Sequence, residues 1–178
     1  MAEAFSNKVV RAVGIVSTSS AGSIGITTNK VTGISTTSVN VGDIIDNSNF
    51  LGGTKVTTVG VTSVILDRDS TNTSAASAQI VKFLGPTTAY TSTGLKSILI
   101  GGTFANNTTS QVNLFVEVSD NSAGVTARIA HKIPVPQGSS FVVSDAGKTV
   151  LESSDEVRVY TDTEGALDVN LSILTGVS

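Results

Sequence analysis

The sequence predicts an all-β protein, and three observations carry that prediction. Apolar residues alternate with polar ones or fall in short runs, and no segment sustains a helical period. Ser and Thr make up more than a quarter of the 178 residues, and with Val they favour a pleated, half-buried surface. Turn residues punctuate the whole chain at the spacing of roughly 8–12 residues that marks sandwiches and barrels.

The elements follow in order. Val39-Asn40-Val41 and Ile44-Ile45 open one apolar set, followed by Val56, Val59, Val61 and Val64-Ile65-Leu66. Ile98-Leu99-Ile100 is a short run of the buried type. Val112, Leu114, Val116 and Val118 alternate, as do Val157 with Val159, and Val169, Leu171 and Ile173. A period of two places each set on one face of a sheet. Gly22, Gly25, Gly33, Gly42, Gly52-Gly53 and Gly60 are expected turns in the first half. Asn106-Asn107, Asp120-Asn121, Gly138 and Asp145-Ala146-Gly147 are expected turns in the second. Ile133 to Val143 predicts a strand on each side of a link stiffened by Pro134 and Pro136, since proline suits a strand end. Leu151 to Val159 predicts a tight turn feeding a strand, with Asp155 bonding nearby amides.

The stretch Gly85 to Gly94 carries Pro86 and two glycines and little apolar content. It predicts a linker at 85–94 between a small barrel-like β domain at 8–84 and an antiparallel, jelly-roll-like β-sandwich domain at 95–176. The alternative is one continuous sandwich with this stretch as a long crossover. Residues 1–8 are expected to form a flexible arm onto a neighbour. With aromatics at 4%, no Trp and no Cys, each core would be thin and without covalent staples. A domain near 80 residues gains only about 3–5 kcal/mol from such a core. Association with copies or partners is the expected remedy.

Composition also excludes function classes. The absence of Cys removes thiolate nucleophiles, disulfides and cysteine metal sites. The net charge of −3 without a basic stripe argues against nucleic acid. No run reaches the roughly 18 apolar residues of a membrane helix, and the first residues do not form a secretory signal.

Candidate chemistry is sparse, and no catalytic, cofactor or metal residue is assigned. His131 is the sole histidine, flanked by Arg128 and Lys132, and no Gly-x-Ser-x-Gly elbow accompanies it. Asp67-Arg68-Asp69-Ser70-Thr71-Asn72 offers oxygen ligands at alternating positions but lacks the sharp-turn glycine and closing glutamate of a calcium loop. The carboxylate pairs Asp43 and Asp46, Asp155 and Glu156, and Asp162 and Glu164 all fall at expected turns, with no aromatic platform beside them. Gly52-Gly53-Thr54-Lys55 lacks the spacing of a phosphate loop.

The block from Ile133 to Leu174 resembles the C-terminal part of small β-rich virion proteins of tailed bacteriophages, especially large phages of marine cyanobacteria. Pro134 to Ser140, Leu151 with Asp155 to Val159, and Gly165 to Ser172 carry the resemblance. Val41 to Ile45 and Gly52 to Val56 are similar to Gly/Thr/Val-rich segments of phage structural proteins. The resemblance implies a non-enzymatic capsid decoration or cement subunit, or a neck or tail accessory. It would be assembled in the host cytoplasm and would reside in the virion. Its implied partners are copies of itself in a homo-oligomer, together with major capsid, portal, neck or tail proteins. No cofactor, nucleic acid or membrane is implied. The alternative is a receptor- or carbohydrate-binding module of a tail fibre, for which Tyr90 and Tyr160 are the candidate aromatics.

Overall fold

Thr, Val and Ile are stiff at χ1 and pack well on a pleated surface, and strands account for all the regular structure. The computed structural model describes residues 3–177, excluding the side chains of 144–147. In chain order the strands are β1 (Ala4–Val13), β2 (Val16–Ile24), β3 (Lys30–Thr32), β4 (Ile44–Asp46), β5 (Val56–Val59), β6 (Ser63–Leu66) and β7 (Ala76–Leu84). They continue with β8 (Thr87–Thr91), β9 (Lys96–Asn106), β10 (Val112–Asp120), β11 (Val125–Val135), β12 (Ser140–Leu151), β13 (Glu156–Thr161) and β14 (Leu167–Val177). No helix occurs among the described residues. The strands form three antiparallel sheets, so the protein is all-β.

The chain divides into two compact units. Unit 1 takes the residues up to Val13, then Thr87–Tyr160, and the residues from Gly165 onward. Unit 2 takes Gly14–Pro86 with Thr161–Glu164. The main segment of unit 2 is therefore inserted between the first and second strands of unit 1. The stretch expected as a linker, 85–94, contains β8, because Thr87, Ala89 and Tyr90 are buried parts of unit 1. The arm expected at residues 1–8 is also revised. Ala4 to Lys8 are strand, paired from Ala4↔Thr175 to Lys8↔Leu171.

Unit 1 has two four-stranded sheets, ordered β1-β14-β9-β12 and β11-β10-β13-β8. The alternating sets read from the sequence supply the core. Val112, Leu114, Val116 and Val118 of β10 share one buried cluster with Val157 and Val159 of β13 and with Val169, Leu171 and Ile173 of β14. Phe104 of β9 lies in the same cluster and tilts against Phe141, with ring centroids 6.4 Å apart. The proline link behaves as expected. β11 ends at Val135, Ser139 N–H donates to Pro136 O at 3.2 Å, and Gly138 takes a positive φ of 63°. The turn expected at Asp145-Ala146-Gly147 lies outside the described residues.

Unit 2 is one six-stranded sheet, ordered β4-β7-β2-β3-β6-β5. Its edge strands approach each other. Ile45 N–H donates to Thr54 O at 2.9 Å, Val56 N–H to Asp43 O at 2.9 Å, and one isolated bridge joins Ile44 to Lys55. The sheet is not closed. Val39-Asn40-Val41 is turn rather than strand, held by Val39 N–H to Thr36 O at 3.1 Å and by the Asp43 carboxylate accepting from Asn40 N–H at 2.9 Å. Gly22 sits inside β2, not at a turn. A Cβ there would come within 2.4 Å of the Ile34 side chain and 3.0 Å of the Thr32 carbonyl, so glycine serves close packing.

Candidate interaction surface

Most of the polar residues singled out in the sequence hold loops, and the structure brings Asp46 near Asp162 and Glu164 around Lys82. Asp155 is buried, and its carboxylate accepts from Asn121 N–H at 3.0 Å and Glu152 N–H at 2.8 Å. It joins the β10–β11 turn to the β12–β13 turn, which is the turn bonding its position predicts. Its neighbour Glu156 points to Arg158, 2.7 Å away. Asp43 is likewise buried and accepts from the Ser17 hydroxyl at 3.2 Å as well as from Asn40. Burial pushes its carboxyl above the ordinary value, against the lowering effect of those two bonds. Asp46 is also pushed up by burial, partly offset by Lys82. Glu164 bonds Lys82 at 2.5 Å, and the negative charges of Glu164 and Asp162 add to the upward push on Asp46.

The oxygen-rich run after β6 is spent on bracing. Asp67 accepts from Lys55 N–H at 2.9 Å. The Ser70 hydroxyl accepts from Thr28 N–H at 3.1 Å, and Asn72 Nδ2 donates to Gly25 O at 3.0 Å. Among the described residues, no three His, Cys, Asp or Glu side chains converge as a metal site would require. Thr54, in the glycine-rich segment, is buried with its hydroxyl donating to Leu51 O at 2.6 Å. His131 is exposed on β11 and meets the Phe115 ring edge-on at 5.4 Å.

Concavities are shallow. A cavity of about 520 Å³ in unit 1 is lined by Lys8, Thr88, Tyr90, Thr175 and their neighbours. Tyr90 there is only 8% exposed and its hydroxyl bonds Ser97 at 2.8 Å, and Tyr160 is equally buried. Neither aromatic ring is laid open as a platform for a sugar. A second cavity of about 520 Å³ lies in unit 2 against Ile24, Thr28 and Ala76.

The outer faces of unit 1 carry a clearer signal, which the alternation pattern did not reveal. In a two-sheet unit the outward positions should be polar. The sheet β11-β10-β13-β8 carries the ion pairs Glu117–Arg128 at 3.6 Å and Glu156–Arg158 at 2.7 Å, beside Phe115 and the exposed Val125 and Ile129. The sheet β1-β14-β9-β12 carries a continuous apolar row. Phe5 pairs with Leu174, Leu174 with Ile98, and Ile98 with Val150, one residue from each strand in a single row on the outer face. Phe5 is 78% exposed and Val150 52%. The isolated residues looked unremarkable in the sequence, since only register brings them together.

No family model matches the chain, and neither a curated protein nor a solved structure matches it.

Proposed function

We propose that this chain is a non-enzymatic structural subunit of a tailed-phage particle, a capsid decoration or cement protein or a neck or tail accessory. It would work through symmetric contacts with its own copies and with other virion proteins. The observation that carries the reading is the strand order of unit 1. Numbered within that unit, its eight strands form sheets 1-8-3-6 and 5-4-7-2. We read that order as a jelly roll, in which two Greek keys wrap a shared core, and the architecture recurs in viral capsid proteins. We read unit 2 as a barrel-like domain inserted after the first of those strands, its sheet edges bridged at Ile44 and Lys55. The resemblance of Pro134 to Ser140 and Gly165 to Ser172 to phage virion segments supports the same reading.

Jelly rolls also occur in lectins, so fold alone does not select the role. The cavity beside Tyr90 is the one observation favouring a sugar-binding tail-fibre module, and the burial of that ring counts against it. The test is peptide mass spectrometry and immunogold labelling of purified particles. The chain should be present in fixed stoichiometry and sit at repeated positions on shell, neck or tail. Its recovery only in the particle-free fraction would overturn the proposal.

A further inference from the structure

The geometry points to the outer face of the sheet β1-β14-β9-β12 as the surface on which a second copy of this chain docks. This rests on the structural-subunit reading and adds the face and the partner. The apolar row Phe5–Leu174–Ile98–Val150 crosses all four strands. A second cross-strand row has Val9 at one edge and Val142 at the other, exposed by 66% and 55%. Between the rows lies a groove of about 270 Å³ beside Ile100, Asn170 and Ser172. Asn and Ser are small and uncharged, so covering this ground costs little desolvation compared with burying ions.

Area favours a like copy as the occupant. The face is flanked by Arg11–Asp168 (3.7 Å) at one end and Lys96–Glu152 (3.1 Å) at the other. Each pair is neutral by itself. On β12 the exposed Lys148, on the same face as Val150, adds one cation between Val142 and Val150. Four strands about 4.8 Å apart and about 35 Å long present roughly 600 Å². Two copies back to back would bury roughly 1,200 Å² in total, at the lower end of specific interfaces. A two-fold arrangement makes the contact isologous, so the row Phe5–Leu174–Ile98–Val150 of one copy can meet its equivalent in the other.

The test is sedimentation velocity of the full chain across low to high micromolar concentration. The wild type should pass from monomer to dimer. Val142→Glu and Phe5→Glu, both at exposed positions, should each raise the dissociation constant at least 10-fold with an unchanged thermal melt. Val125→Glu, exposed on β11 of the other sheet, should leave it unchanged. Because the chain contains no cysteine, Ser172→Cys gives a second readout independent of the charged variants. Its oxidation should yield a covalent dimer, and Val125→Cys should not. A wild type that stays monomeric throughout would overturn the inference, as would a dimer weakened by Val125→Glu and not by Val142→Glu. A monomer that still labels purified particles would assign the face to a different virion protein, sinking this inference while the structural-subunit reading stands.

Discussion

The two units solve the same problem by different means. Unit 1 sets long strands, up to the 12 residues of β12, around a buried apolar cluster drawn from both of its sheets. Unit 2 relies on four strands of three or four residues, β3 to β6, and a smaller apolar cluster around Phe83 and Ile45. Its loops are long, and hydroxyl, amide and carboxylate side chains tie them down: Ser70 to Thr28 and Gly25, Asn72 to Gly25, Asp67 to Lys55, Asp43 to Asn40. The lesson concerns composition. A chain rich in Ser and Thr can keep a small core by letting short polar side chains satisfy loop backbone groups that a longer ladder would otherwise pair.

That contrast can be broken or sharpened by substitution. The largest effect is expected in the cores. Phe104→Ala in unit 1 and Phe83→Ala in unit 2 each empty a fully buried site and should cost about 3–5 kcal/mol in chemical denaturation. A mild effect of Phe83→Ala would show that unit 2 depends even less on its apolar cluster than its loop bonding suggests. Asp155→Ala comes next, since it removes a buried carboxylate from two amides of unit 1 and should cost about 2–3 kcal/mol, with Asp155→Asn recovering part. It also tests whether unit 1 shares the polar bracing of unit 2.

Ser70→Ala should cost about 1 kcal/mol, because it removes the acceptor of the Thr28 N–H at a half-buried site. The smallest expected effect is a pH dependence. Burial raises the folded-state carboxyl of Asp43 above its ordinary 3.8. The associated stability is present below that unfolded value and is lost as pH rises through the folded one. Denaturation midpoints of Asp43→Asn measured from pH 3 to 7 should therefore lack this decline. A parallel offset from the wild type at every pH would show that the carboxyl titrates alike in both states.

The all-β class and most strands of unit 1 were legible, because period-two sets such as Val112 to Val118 have one face in the core. The turn at Asp155 was legible from residue chemistry. Unit 2 was harder to read. β2, Val16–Ile24, is mostly Ser, Ala and Gly, and becomes a central strand only by pairing with β7 on one side and β3 on the other. Gly22 mimicked a turn signal while serving close approach to Ile34. The insertion of unit 2 was hidden for a further reason. Nothing local to Ala4–Val13 reveals that its partner strand lies more than 150 residues away. The outer apolar row was invisible on the same grounds, since register across four strands assembles it from single residues.

The pairing of β1 with β14 also has a consequence for synthesis. Ala4 and Thr175 are register partners, so β1 must wait for β14, more than 150 residues later in synthesis, before its ladder can form. Contacts so distant along the chain slow folding, and an unpaired strand is exposed to wrong partners in the meantime. Nascent unit 2 carries no such long-range debt across Val16 to Leu84, and its early folding would hold Val13 near Thr87 while the remaining strands emerge.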